Sequence, residues 1–203
     1  MHEVTIRQKI IDRVLERRGR HHLFDSLDPK RTALLVIDMQ NMFCEKGAPA
    51  EVIAARGICD NITRLCKEVR ALEGLVIWIT SATTFANGCS DWEMFLSNFI
   101  TQDVRKDRQE YLAPGGRGEK IWRDLEPKEG DLHIRKNRYS ALSSGASKLR
   151  SVLSSHNIKN ILIAGTKTNI CCESTGRDAM QLDHQVVMVE DCCAALSDEE
   201  HRS

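Results

Sequence analysis

The sequence predicts an α/β fold whose sheet is mostly parallel, and two observations support this. Continuous apolar runs at 32–39 (TALLVIDM) and 75–80 (LVIWIT) are typical of strands that are buried on both faces. Segments with the apolar spacing of helices lie between such runs, and this alternation favours right-handed crossovers within one parallel sheet. The chain of 203 residues has the length of one such domain, so we expect a single domain over residues 1–203.

The predicted elements follow one another along the chain. An amphipathic helix, part of an N-terminal helical extension over residues 1–30, is predicted by the spacing of Val4, Ile6, Ile10, Ile11, Val14 and Leu15. Further helices are predicted at 60–72, 91–101, 119–125, 147–155 and 171–182. Strands are predicted at 32–39, 75–80, 133–136, 160–164 and 185–189. The segment 43–57, which contains glycine and proline, is predicted to be a loop.

Composition excludes several classes of function. The formal net charge is zero, because 29 Lys and Arg residues are balanced by 29 Asp and Glu residues, so we expect no nucleic-acid partner. No apolar run approaches the ~20 residues that a membrane span needs, so we expect no membrane partner. The first twenty residues lack the apolar region of a secretion signal. We therefore predict a cytoplasmic protein.

The cysteine pattern argues against disulfides and structural metal. No two cysteines form a C-x-x-C pair, and no histidine lies at ligand spacing from two of them. In a cytoplasmic protein they are expected to be reduced thiols, and we predict neither a metal nor a cofactor. The eight residues are Cys44, Cys59, Cys66, Cys89, Cys171, Cys172, Cys192 and Cys193.

The stretch 161–180 (ILIAGTKTNICCESTGRDAM) joins a predicted strand to a predicted helix, and Cys171 lies at the junction. The positive end of a helix dipole there lowers the pKa of a thiol, and free backbone N–H groups point at whatever binds. Both effects suit a thiolate nucleophile with an oxyanion site beside it. A small buried structural cysteine is the alternative.

Two charged residues also lie at the ends of predicted strands. Asp38 follows the first strand and Lys136 ends the third. Ligands of open parallel sheets bind beyond the carboxyl ends of the strands, so these residues are expected to meet Cys171 there. The lysine would favour the thiolate, and the aspartate could accept the thiol proton. A helix-capping aspartate and a solvated lysine are the alternatives.

Three segments resemble the signatures of the isochorismatase-like cysteine hydrolases, and they occur in the order that this family has. They are TALLVIDMQNMF at 32–43, IRKNRYSAL at 134–142, and GTKTNICCESTGRDAM at 165–180 followed by VVMVEDCCAA. The resemblance covers roughly residues 30–203. It implies a Rossmann-like, three-layer α/β/α sandwich and a catalytic triad of Asp38, Lys136 and Cys171. Relatives usually continue past residue 203, so the C-terminal end is expected to be truncated or to lack a tail.

The resemblance also implies a non-proline cis peptide bond at Thr166–Lys167, which would aim the amides of Lys167 and Cys171 at one point as an oxyanion hole. The implied reaction passes through a thioester-type acyl-enzyme. Asp38 accepts the proton of the Cys171 thiol and later activates water, while Lys136 holds the charges in position. A homodimer or homotetramer is implied by the resemblance alone.

The substrate that the resemblance implies is a small molecule with a C–N bond. A cysteine at position 171 resembles the amidohydrolases, and the segments 137–140 (NRYS) and 171–175 (CCEST) look like the ureidoacrylate and N-carbamoyl amidohydrolase branch. By that similarity Tyr139 would face the substrate, and Phe43 and Trp92 are candidate pocket walls that could equally be core residues. The metal-binding nicotinamidase type is not expected, because residues 81–95 contain no histidine.

Three alternatives stay open. The chain could be an isochorismatase-type hydrolase of another small molecule. It could also be a catalytically silent family member that acts through protein interaction, since a fold does not fix a function. A redox-sensing protein that uses Cys171 and Cys172 is the third, although adjacent cysteines form only strained disulfides.

Overall fold

A five-stranded sheet flanked by helices organises the structure, a computed structural model that describes residue 2 and residues 5–87 and 89–203. The strands are β1 (Thr32–Ile37), β2 (Leu75–Ser81), β3 (Phe85–Ala86), β4 (Cys89–Ser90), β5 (Leu132–Lys136), β6 (Asn160–Thr166) and β7 (Gln185–Ala194). The helices are α1 (Gln8–Arg18), α2 (Asn41–Cys44), α3 (Cys59–Ala71), α4 (Glu93–Asn98), α5 (Gln102–Tyr111), α6 (Leu149–Ser155), α7 (Glu173–Gln181) and α8 (Asp198–Arg202).

The strand order places the carboxyl ends of all five strands of this sheet at one edge. The sheet runs β5-β2-β1-β6-β7, and every neighbouring pair is parallel. In the register of the central strand, Leu35 is aligned with Ile77 of β2 and with Ile163 of β6. The strand order therefore reverses between β1 and β6. At such a switch point the loops that follow the two strands separate and leave a crevice for a ligand.

Both faces of the sheet are packed, which gives the molecule three layers. Side chains of successive strand residues point to opposite faces. Leu34 and Val36 of β1 accordingly belong to one core cluster, with Ile62, Cys66 and Val69 of α3. Ala33, Leu35 and Ile37 belong to the other cluster, with side chains of α6 and α7. The predicted α/β fold, a three-layer α/β/α sandwich with a parallel sheet, is confirmed.

Gly165 allows β6 to lie close against β1 just before the predicted site. Its φ is +117°, and a Cβ at this position would overlap the carbonyl oxygen of Ile37. Only glycine combines this backbone conformation with such a close approach. The residue thereby sets the spacing of the two strand ends at the switch point.

Between β2 and β5 the sequence predictions were partly wrong. The helix predicted at 119–125 is absent: after a 3₁₀ turn at Arg117–Glu119 the backbone is extended, and Trp122 N–H donates to the carbonyl oxygen of Met39 at 2.9 Å. Pairing with the segment that follows β1 outweighs the local helical pattern here. The helix predicted at 91–101 is only α4, and helix α5 was not predicted.

Other boundaries shift by a few residues. β7 continues to Ala194, five residues past its predicted end, with a register shift opposite 163–165. The helix predicted from Cys171 begins as a π-helical turn, Thr168–Cys172, and becomes α-helical at Glu173. The predicted loop at 43–57 contains most of a 3₁₀ segment, Ile53–Ile58.

At the N-terminus, α1 agrees with the predicted amphipathic helix from residue 8 onward, whereas Val4 lies outside the described residues. Among the described residues, no helix combines the length and the apolar character needed to cross a bilayer.

Candidate active site

The structure brings Asp38, Lys136 and Cys171 into direct contact at the carboxyl edge of the sheet. Lys136 Nζ lies 2.8 Å from Asp38 Oδ2 and 3.4 Å from Cys171 Sγ. The Cys171 thiol also donates a hydrogen bond to the Asp38 carboxylate. All three side chains are buried. A thiol, a carboxylate and an ammonium group therefore share one water-poor site.

The turn after β1 aims Asp38 into this site. Asp38 adopts a left-handed conformation with φ 56°, which aspartate tolerates better than most residues. Its N–H donates to the carbonyl oxygen of Ile79 at 2.8 Å, so the turn stays attached to β2. Its Oδ1 accepts a hydrogen bond from Ser81 Oγ at 2.9 Å. The carboxylate is thus fixed on both oxygens.

Ser81 belongs to the site but was missed by the sequence reasoning. It is the last residue of β2, one position beyond the predicted strand end, and it accepts a hydrogen bond from Lys136 Nζ at 2.8 Å. The Lys136 ammonium donates in addition to the carbonyl oxygen of Arg138 at 3.2 Å. Burial alone would lower the pKa of Lys136, but its interactions with the Asp38 carboxylate and with Cys171 outweigh burial, and the pKa is raised. Lys136 is therefore a cation at neutral pH.

The pKa of the Cys171 thiol contradicts the expectation from the helix dipole. Burial, and next the negative charge of Asp38, raise this pKa to about 12, although the Lys136 charge opposes them. The resting residue is therefore a thiol that donates to Asp38. Desolvation of the sulfur depends on all the groups that pack around it, and the local sequence does not show these groups.

The peptide bond between Thr166 and Lys167 is cis. Thr166 Oγ1 donates to the carbonyl oxygen of Ala194 at 3.1 Å, and Thr168 Oγ1 lies 2.8 Å from His201 Nδ1, so β7 and α8 both hold this turn. The Lys167 carbonyl oxygen accepts hydrogen bonds from the N–H groups of Ile170 and Cys172. In the described part of the chain, the Lys167 N–H has no acceptor. The turn is thus firmly anchored around Cys171.

A cavity of about 170 Å³ opens onto Cys171 and Lys136. Its size suits a small molecule, since pockets for drug-sized ligands start at about 300 Å³. Phe43, Trp92 and Tyr139, the three candidate substrate-binding residues, all line it. Phe43 is also a core residue, whereas Trp92 and Tyr139 are in edge-to-face contact with ring centroids 4.9 Å apart.

The lining residues that were not predicted from sequence include Phe95, Arg108, Asn137 and Arg138. Asn137 and Arg138 stand beside Lys136 in the segment IRKNRYSAL, so their position was a usable signal. Arg108 gave none, because the polar helix α5 that carries it was not predicted. Across the described ranges, no group of three or more His, Cys, Asp or Glu side chains is arranged to hold a metal ion. The absence of a metal stays a prediction.

A parallel α/β sandwich with reactive side chains and a small cavity at its switch point is the arrangement of an α/β enzyme that acts on small molecules. A sequence model for the isochorismatase domain matches residues 32–203, most of the chain. The chain belongs to the isochorismatase family and is a hydrolase of that family, as predicted.

Relatives of known name or structure are consistent with this membership. The ureidoacrylate amidohydrolase RutB of Klebsiella pneumoniae is 33% identical over 177 residues, which cover 82% of this chain and 74% of that protein. RutB of Variovorax paradoxus is 32% identical over 182 residues, with 84% and 71% covered. The crystal structure of a cysteine hydrolase from Pseudomonas syringae pv. phaseolicola has a TM-score of 0.71 and 27% identity, covering 84% of this chain and 75% of that one.

Proposed function

We propose that this chain is a cysteine-dependent amidohydrolase that cleaves a C–N bond of a small amide, ureido or N-carbamoyl compound through a covalent acyl-enzyme. The observation that carries the proposal is the mutual contact of Asp38, Lys136 and Cys171 at the cavity. The similarity to amidohydrolases named for a ureido substrate supports the choice of a C–N bond.

In the first half of the proposed reaction, Asp38 accepts the proton of the Cys171 thiol while the sulfur attacks the substrate carbonyl carbon. Proton transfer during attack suits a thiol whose pKa is raised, because a free thiolate is scarce at neutral pH. Lys136 remains charged and stabilises both the emerging thiolate and the carboxylate. The C–N bond then breaks, and protonated Asp38 returns its proton to the departing nitrogen, so that ammonia or an amine leaves.

In the second half, the Asp38 carboxylate removes a proton from water, which attacks the thioester carbon. The C–S bond breaks, the acid is released, and the proton returns to sulfur. The net reaction consumes one water and yields an acid and an amine or ammonia.

We assign the oxyanion of both tetrahedral intermediates to the backbone N–H groups of Lys167 and Cys171, with Thr166 fixing the turn. The unpaired Lys167 N–H and the position of Lys167 at the cavity support this assignment. Removing one oxyanion donor typically costs about 10²–10³ in kcat. Phe43, Trp92 and Tyr139 would form the apolar walls that exclude water from the small-molecule substrate.

The test is ammonia release from a panel of ureido acids, N-carbamoyl amino acids, nicotinamide and simple amides. We expect the parent protein to release ammonia from at least one ureido or N-carbamoyl compound, and Cys171→Ala to release none. Normal turnover by Cys171→Ala would refute the mechanism. Phe24 does not line the cavity, so Phe24→Leu is a control for handling and concentration.

Silence across the panel would favour the alternatives, which are hydrolysis of another kind of bond and a catalytically silent protein that binds a partner. Acyl-enzyme trapping separates the two. Incubation with a panel of activated esters, followed by mass spectrometry, should add an acyl group to Cys171 in an active hydrolase. No adduct under any condition would identify a silent site. The predicted homodimer or homotetramer and the cytoplasmic location can be checked by light scattering and by cell fractionation.

A further inference from the structure

We propose that Arg108 binds a carboxylate of the substrate within the cavity that holds Cys171, and that this contact selects anionic substrates. The inference rests on the proposed amidohydrolase function and adds a specificity-determining residue to it. The substrate class is accordingly a ureido or N-carbamoyl compound with an acid group, in preference to a neutral amide.

The first observation is that Arg108 has no acidic partner. The residue is half-buried on α5, and its Nε is a buried donor without any acceptor. Within the described part of the chain Arg108 forms no ion pair, unlike Arg105 one turn earlier, which is paired with Glu93 at 2.7 Å. A buried guanidinium N–H without an acceptor is costly, so an anion from outside the chain is the expected partner of Arg108.

The second observation is the charge of the cavity wall. Four cationic side chains line the cavity, and the lining contains no Asp or Glu; the four are Arg108, Lys136, Arg138 and Lys167. Lys136 is neutralised by Asp38, and Arg138 donates to the backbone oxygen of Asp91 at 3.0 Å. A backbone oxygen does not neutralise a guanidinium, so the uncompensated positive charge of the cavity wall is carried by Arg108, Arg138 and Lys167. Arg108 differs from Arg138 because its buried Nε has no acceptor.

The third observation is how Arg108 is held. Its Cζ lies 5.4 Å from the ring centroid of Phe95, which in turn is stacked on Trp92. Contact with an aromatic face orients a guanidinium while its N–H groups stay free to donate. A preorganised guanidinium suits a carboxylate, which it can bind through two parallel hydrogen bonds. Packing against Phe95 explains the orientation of Arg108 but leaves its donors unused.

The experiment compares matched substrates with and without an acid group. The acids are N-carbamoylglycine, 3-ureidopropionate and 4-ureidobutyrate, and the neutral partner is N-propylurea. In Arg108→Met we expect kcat/KM for the preferred acid to fall at least about 30-fold, as for loss of one partner of a buried charge pair. For N-propylurea we expect a change within about 3-fold, as for loss of a contact that this substrate does not make. Arg108→Lys keeps the charge and should retain part of the preference.

Lys106→Met is the matched control, because it removes an exposed cation from the same helix. We expect Lys106→Met to leave kcat/KM unchanged for the preferred acid and for N-propylurea. A common melting temperature for Arg108→Met and Lys106→Met would show that the fold is kept. The proposal would be overturned if Arg108→Met lowered kcat/KM equally for acid and neutral substrates. It would also be overturned if kcat/KM for the acids did not fall.

A binding measurement separates this proposal from the proposed function. Calorimetry on Cys171→Ala should detect binding of the same three acids. The added change Arg108→Met should weaken this binding by the factor expected for kcat/KM. If the parent hydrolyses none of the panel but binding depends on Arg108, the carboxylate site stands and the hydrolase proposal falls. Failure of Cys171→Ala to bind any of the acids would overturn the carboxylate site.

Discussion

Lys136 Nζ and Asp38 Oδ2 lie 2.8 Å apart in an ion pair that solvent does not reach, with side-chain exposures of 1% and 0%. Each charge depends on the other, because a lone ion at this depth loses its hydration without compensation. The pair joins the end of β5 to the end of β1 across β2. It therefore links the stability of the fold to the chemistry of the site.

Replacing Lys136 by methionine should destabilise the protein strongly. The change leaves the Asp38 carboxylate buried without its cation, so we expect the free energy of unfolding to fall by about 3 kcal/mol or more. Urea unfolding monitored by circular dichroism measures this. Lys67→Met, at an exposed position on α3, is the control and should change stability by less than about 0.5 kcal/mol.

The double variant Asp38→Asn/Lys136→Met should lose less unfolding free energy than the sum of the losses of the two single variants. Equal losses in Lys136→Met and Lys67→Met would contradict the importance of the pair.

The Cys171 thiol should be protonated at neutral pH in the free protein. Burial and the Asp38 charge raise its pKa to about 12, so the difference in ultraviolet thiolate absorbance between the parent and Cys171→Ala should be absent at neutral pH. In Asp38→Asn the carboxylate charge is gone and Lys136 remains, so the thiolate should form at lower pH than in the parent. A thiolate signal from Cys171 in the resting parent at neutral pH would show that the Lys136 charge dominates after all.

Alkaline pH should destabilise the fold through its buried cysteines. Burial raises the pKa of Cys66 from 9.0 to about 11, so the unfolded chain loses this proton at a lower pH than the folded one. The associated stability is complete below pH 9.0 and declines as the pH rises toward 11, by about 3 kcal/mol for this shift. Cys59 behaves in the same way.

Unfolding free energies measured between neutral pH and pH 11 check this dependence. Cys66→Ala should make the decline shallower, whatever it does to stability at neutral pH. Cys89→Ala removes an exposed thiol and should leave the slope unchanged. Parallel curves for the parent and Cys66→Ala would mean that another group controls alkaline unfolding.

Asp131 should matter for stability without taking part in the chemistry. Its carboxylate accepts from Arg70 Nε at 2.9 Å, from Trp78 Nε1 at 2.7 Å and from the Lys128 N–H at 2.9 Å, so it ties the loop before β5 to α3 and β2. Asp131→Asn removes the charge from this buried network, and we expect a loss of about 3 kcal/mol in thermal or urea unfolding. Glu126→Gln, in an exposed pair with Lys128, should cost less than about 0.5 kcal/mol. A loss of turnover in folded Asp131→Asn protein would show an unexpected link to the site.

The parts of the site that sequence patterns could predict are those that lie at strand ends. Asp38 and Lys136 follow or close apolar runs, and parallel strands bring such residues to one edge. Ser81 was missed because β2 is one residue longer than its apolar run. Helix α5 was missed because its sequence, QDVRKDRQEY, offers almost no apolar face, so that only its packing places Arg108 at the cavity.

Electrostatics was the least accessible property from sequence. The expected low pKa of Cys171 followed from its position before a helix, but desolvation depends on everything that packs around the sulfur. In the same way, residues 119–125 are not helical because Trp122 forms a backbone hydrogen bond with Met39, which lies about eighty positions earlier in the chain. Contacts between residues far apart in the chain determine both the pKa of Cys171 and the conformation of 119–125, and the local residue spacing does not show these contacts.

The location of the cavity residues has a consequence for how new specificities can arise in this scaffold. The reactive side chains lie at the carboxyl edge of the sheet and in the turns that adjoin it. Trp92, Phe95 and Arg108 instead belong to the long segment between β2 and β5. Exchanging the segment between β2 and β5 should therefore change the substrate specificity and keep the reactive side chains of the chemical step. Mutant libraries confined to α4 and α5 should accordingly yield altered substrate ranges far more often than dead proteins.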